Sequence, residues 1–148
     1  YSLQSNQALQ ASAWVGSKVI IPGNFIKLEK DHISSIGAEI LETSCEITIF
    51  LYAKSSELVR TVLLEQVEHG YYEFKWDGLN QQGARRPIEI YTVIIQCIKE
   101  KKISHLKTLI AANVNGVNLG DKKGDAIRLS IADVGEIRLD QVMGMGRL

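Results

Sequence analysis

At 148 residues the chain suits one ordinary domain or two small lobes, and 45% hydrophobic residues are enough for a packed core, which excludes global disorder. Lys and Arg (17) balance Asp and Glu (17), so no electrostatic pull toward nucleic acid or an acidic membrane surface is expected. No apolar run reaches spanning length, so no membrane insertion is expected either.

Residues 1–13 are polar with sparse Leu3 and Leu9, which suits a weak helix or an arm that needs a partner. The chain starts at Tyr1 rather than Met, so further residues are expected to precede it in the natural protein. Val19, Ile20 and Ile21 have strand chemistry, and Pro22-Gly23 marks a turn before a short return strand at Phe25–Leu28. Cys45, Ile47, Ile49 and Leu51 alternate with Glu46, Thr48, Phe50 and Tyr52, the period of a strand. A turn at Ala53–Glu57 leads to a β-branched run at 58–64. After His69-Gly70, Tyr72, Phe74 and Trp76 share one face of the next strand. Dense turn chemistry follows at 76–83, then a long Ile/Val/Tyr/Thr run from Ile88 to Ile98, a charged tip at Lys99–Lys102 and a closing strand from Ile103.

The last block changes texture to short strands punctuated by Gly. Ile127, Leu129 and Ile131 alternate with Arg128 and Ser130, and Ile137 and Leu139 with Arg138 and Asp140, as in the meander of a small barrel. Turn signals every 8–12 residues without long helical periodicity predict an all-β fold. The middle of the chain resembles a seven-strand sandwich of fibronectin type III or immunoglobulin type. Neither end is long enough to bury a core alone. The ends are therefore expected to pair, with residues 1–31 and 110–148 forming one lobe and the sandwich, 32–109, inserted between them.

Two cysteines, Cys45 and Cys97, lie far apart with no CxxC and no His at ligand spacing. The sequence favours two small, half-buried residues over a disulfide. Trp76-Asp77-Gly78 with Gly83 is the sharpest local feature. Trp76 can anchor a core, Asp77 can close an Asx-turn, and Gly78 and Gly83 can take φ > 0, so a fixed turn is preferred over a site carboxylate. Gly120–Asp125 offers carboxylates, but two lysines occupy its middle and no closing Glu follows, so a hairpin loop is preferred over a calcium loop. His32, His69 and His105 are scattered. With no GxSxG, phosphate loop or GxGxxG, no catalytic residue, cofactor or metal is expected.

The ordered set of motifs resembles the bacterial flagellar hook-capping protein (FlgD) family, in its C-terminal part. The match comprises Gln10–Val19 (QASAWVGSKV, including Val15 and Gly16) with Pro22-Gly23. It continues with Leu58-Val59-Arg60 and with Trp76-Asp77-Gly78 followed by Gly83, Pro87 and Tyr91. It closes with Val114-Asn115-Gly116-Val117 and Ile137–Val142. Glu89 stands where the family has Gly, and Trp14 where Leu is common. The resemblance implies a Tudor-like β-barrel built from both chain ends around a fibronectin type III sandwich. It also implies a non-enzymatic scaffold, exported by the flagellar type III route, that caps the distal end of the growing hook. Its implied partners are hook-protein subunits and further copies in the cap.

Two other readings are a Tudor-like reader of methylated peptides and a generic secreted immunoglobulin-like binding module. The first needs an aromatic cage, for which the lobe of the ends supplies Tyr1, Trp14 and Phe25. The second would want a dense aromatic platform, which the sequence lacks.

Overall fold

The computed structural model describes residues 3–30, 34–120 and 124–146. After a helix α1 (Leu3–Ala13) come twelve strands: β1 (Lys18–Pro22), β2 (Phe25–Lys27), β3 (Ser34–Ile40), β4 (Cys45–Tyr52), β5 (Leu58–Val67) and β6 (Gly70–Trp76), then β7 (Ile90–Lys99), β8 (Lys102–His105), β9 (Thr108–Asn118), β10 (Arg128–Ile131), β11 (Gly135–Arg138) and β12 (Gly144–Met145). A 3-10 turn at Leu139–Gln141 precedes β12. The described chain is thus mostly β. It divides into two compact units, one built from residues up to Pro22 together with those from Ala111, the other from Gly23 to Ile110.

In the unit of the two ends the strand order is β11-β10-β9-β1-β12. β12 pairs with β1 antiparallel, Val19 opposite Met145, so the last strand closes on the first. The amides of Met143 and Gly146 add bonds to the carbonyls of Ile20 and Lys18. The interior is aliphatic: Val19, Ile21, Val114, Ile127, Leu129, Ile131 and Ile137 are buried, with Ala11 as the inward residue of α1. Ala11 is fully buried, while Leu9 on the same helix stays exposed. The alternation read at Ile127, Leu129 and Ile131 is the inward face of β10 and the residue before it.

In the Gly23–Ile110 unit, one sheet runs β5-β4-β7, with β7 bordered on its far side by β2 at one end and β8 at the other. The other sheet pairs β3 with β6 and with the Thr108–Leu109 start of β9. Period-two burial explains the layering. Cys45, Ile47, Ile49 and Leu51 of β4 are all buried, as are Tyr91, Val93, Ile95 and Cys97 of β7. They meet Ile36, Ala38 and Ile40 of β3 and Phe74 and Trp76 of β6 among the buried residues of this unit.

Three expectations need correction. Residues 23–31 were assigned to the lobe of the ends, but Phe25–Lys27 pairs with Ile90–Thr92 of β7, and Gly23 donates its N–H to Thr108. A strand joins whichever edge its backbone reaches, and Ile26 is buried there. The run from Ile103 is not one closing strand but two, broken between His105 and Thr108. The cysteines are bridged as a disulfide, with Cα atoms 5.6 Å apart. Sequence spacing could not show this, because β4 and β7 are neighbours only after folding.

Candidate functional site

Trp76 ends β6 and is 2% exposed. Its ring meets Tyr91 edge-on at 4.8 Å between centroids, the geometry favoured by aromatic quadrupoles. Its Nε1–H is spent on the carbonyl of Leu79 at 3.0 Å. Asp77 then turns the chain: its Oδ1 accepts the Leu79 amide at 3.0 Å, an Asx-turn. The same oxygen takes a bond from Arg60 Nη1 at 3.2 Å, and Arg60 also reaches the Leu79 carbonyl at 3.0 Å. Gly78 has φ +82°, and a Cβ there would lie 2.8 Å from Arg85 Nη1. Arg85 caps the Asp77 carbonyl at 2.9 Å. Asn80 Oδ1 then gathers the amides of Gln82 and Ala84, and Gly83 donates to the Asn80 carbonyl. The Trp-Asp-Gly motif is therefore a turn tied by its own hydrogen bonds and those of Arg60 and Arg85.

The second half of the motif is equally structural. The hydroxyl of Tyr91, at the start of β7, donates to the Pro87 carbonyl at 2.6 Å. Burial raises the Tyr91 pKa above the ordinary value, against a hydrogen bond from Arg86 that lowers it. The Arg86 guanidinium lies over the Tyr91 ring at 5.7 Å and pairs with Glu57 at 3.8 Å and Glu89 at 3.9 Å. The hydrogen bond to Tyr91 is the main cause that raises the Arg86 pKa. Asn80 and Arg86, together with Arg60 of the Leu58-Val59-Arg60 match, thus carry as much of the network as Trp76, Asp77 and Tyr91. Asn80 and Arg86 are polar residues in or just past the turn, a signal too common to read without coordinates, and Arg60 lies on β5, far from the turn in sequence.

The other motif residues fall at joints of the backbone. Gly16, φ +88°, donates to the Val114 carbonyl at 2.9 Å, beside exposed Val15. Pro22 ends β1, and a Cβ at Gly23 would strike the Ile110 side chain at 2.6 Å. Gly116 sits opposite Ser130, next to the register shift between β9 and β10. These residues are dispersed through the two units.

The remaining candidates are equally separate. Trp14 and Phe25 belong to different units, and Tyr1 lies outside the described residues. His69 and His105 are exposed, and His32 lies outside the described residues. Among the described residues no group of three potential ligands could hold a metal. A shallow polar cleft of about 270 Å³ lies between Asn118, Gly120, Asp125, Arg128 and Glu136, but Asn118 already bonds Glu136 at 3.0 Å and the Gly120 amide at 2.9 Å. Asp121–Lys123 of the loop weighed for calcium lies outside the described residues.

What the surface does offer is apolar area. On the outer face of the β5-β4-β7 sheet, Leu63, Ile94 and Ile103 are exposed. Phe50 and Tyr52 are half-buried, with centroids 6.4 Å apart. Phe50 lies opposite Ile94, and Ile98 opposite Ile103. Glu46, Thr92 and Gln96 lie among them on the same face, and exposed apolar area of this kind suits contact with another macromolecule.

A sequence model of the FlgD Tudor-like domain matches residues 6–143. The FlgD proteins of Escherichia coli and Salmonella typhimurium, both named basal-body rod modification protein, are each 26% identical over 95% of this chain. The match spans 62% of the length of those curated relatives. Among solved structures, FlgD from P. aeruginosa superposes with a TM-score of 0.78 at 26% identity, covering 90% of this chain and 98% of that one. FlgD from Xanthomonas campestris, described for the hook capping essential for flagellar assembly, gives 0.73 at 22% identity over 95% and 99%. At that identity it speaks to the fold alone.

Proposed function

The chain belongs to the FlgD Tudor-like domain family, and from that premise we propose that it serves as a non-enzymatic scaffold in flagellar hook assembly. In this reading it sits at the distal end of the growing hook and guides hook-protein subunits into place. The observation that carries it is the family match through both units, from residue 6 to 143. The use of the polar motif residues to tie turns, together with the exposed Leu63, Ile94 and Ile103 on one sheet face, supports a binding role. A cap must release and rebind as each subunit enters, so its contacts are moderate rather than permanent.

We further read Gly23–Ile110 as a fibronectin type III sandwich and the paired ends as the Tudor-like barrel. The strand order β5-β4-β7-β8 facing β6-β3 supports the first, as does a tyrosine at the start of β7 bonded to the backbone a few residues upstream. The test of the capping role is titration of purified hook protein with this chain, followed by light scattering and calorimetry. Saturable binding with Kd of about 1–100 µM is expected. No heat and no mass change at hook-protein concentrations up to about 1 mM would overturn the proposal.

A further inference from the structure

We propose that the outer edge of β5 is a docking site for an extended segment of another polypeptide, which adds to the sheet as one more strand. Among the described residues β5 has a strand on one side only. Its direction of bonding is fixed by two contacts: the Gln81 amide donates to the Val59 carbonyl at 3.1 Å, and the Thr61 amide donates to Gln81 Oε1 at 2.8 Å. Val59 and Thr61 therefore turn their peptide groups away from β4. The direction repeats every second residue, so the Thr61 carbonyl and both peptide groups of Leu63 also point outward. Gln81 imitates a neighbouring strand for one step, and beyond it the ladder is open.

Natural edge strands are guarded by Lys, Pro or bulges. Residues 61–64 contain no charged side chain and no Pro, the guarding charges being Arg60 and Glu65 on either side, and the register irregularities of β4 and β5 fall at the ends of the pairing, beside Tyr52 and Cys45. Leu63 is 71% exposed, while Val62 and Leu64 on the opposite face are half-buried. An added strand would gain main-chain bonds and cover apolar side chains on both faces, the economy of β-augmentation. A second copy of this chain fits worse. Antiparallel pairing centred on Leu63 would set the partner's Val67 opposite Val59, where Gln81 already lies. The occupant is instead an extended segment, apolar or β-branched at alternate positions, that leaves the edge before Val59. This inference goes beyond the capping reading and does not require it.

The probe is a blocked peptide of alternating Thr and Val, with a control of identical side chains N-methylated along one edge. Hydrogen exchange of the Leu63 amide, read by NMR on the whole chain, should slow about tenfold or more with saturating peptide and stay unchanged with the control. Leu63→Lys should weaken binding about tenfold without lowering the melting temperature. Equal protection by both peptides, or by neither, overturns the proposal. So does Leu63 protection that rises with the protein's own concentration and no peptide present.

Discussion

Trp76 and Tyr91 hold the inner unit through both faces of their chemistry, burying ring area and donating each polar hydrogen to a turn carbonyl. Trp76→Ala should cost about 3–5 kcal/mol, enough to abolish cooperative unfolding of that unit. A Trp76→Ala protein with an unchanged urea midpoint would contradict this map. Tyr91→Phe keeps the packing and loses one bond, so about 1 kcal/mol is expected at neutral pH. The Tyr91 pKa is raised above the ordinary 10.0, so the protonated hydroxyl is the form that folding favours. Its contribution is complete below pH 10 and is lost as pH rises through the folded value. The stability gap between parent and Tyr91→Phe should therefore narrow in alkaline urea titrations. At Gly78 an Ala meets both a positive φ and the Arg85 side chain, whereas at Gly83 it meets only the φ. Gly78→Ala should accordingly be the costlier, by about 1 kcal/mol, in paired thermal melts.

Elements were legible in proportion to their periodicity. β4 alternates strictly and could be read from Cys45 to Tyr52, and so could Tyr72, Phe74 and Trp76 of β6. β3 could not, because SSIGAEI mixes Ser and Gly into a strand whose stability comes from pairing Ser34–Ile40 with Gly70–Trp76. The turn at 76–83 was visible as chemistry, but the arginines that brace it come from β5 and from the loop's far side. The disulfide was hidden for the same reason: its cysteines are 52 residues apart and become neighbours only through the β4–β7 ladder. Closing a loop of that length stabilises by about 4 kcal/mol in the chain-entropy account. Reduction, or a Cys45→Ala/Cys97→Ala double variant, should lower the melting temperature by about 10 °C or more while leaving the far-UV spectrum unchanged. An identical melt with and without dithiothreitol would show that the bridge does not form in solution.

At the scale of the molecule, the division into two units was anticipated from end blocks too short for a core of their own. The placement of residues 23–30 was not, since Phe25–Lys27 has the same strand chemistry whichever sheet it joins. The inner unit owns its disulfide, its aromatic pair and its tied turn. Excised as Gly23–Ile110, it should therefore fold alone, with a dispersed amide spectrum and a cooperative melt. Residues 1–22 alone should give neither, because β1 has its partners in β9 and β12.

That pairing of first strand with last also imposes a timetable. A ribosome or an export channel delivers a chain from one end, and the inner unit is complete once Ile110 is out. β1 has emerged long before, yet Val19 must wait for Met145, near the other end of the sequence. The barrel of the ends is thus the last part to set, and a nonsense codon a few residues before Gly144 would leave a finished inner unit beside an unclosed one.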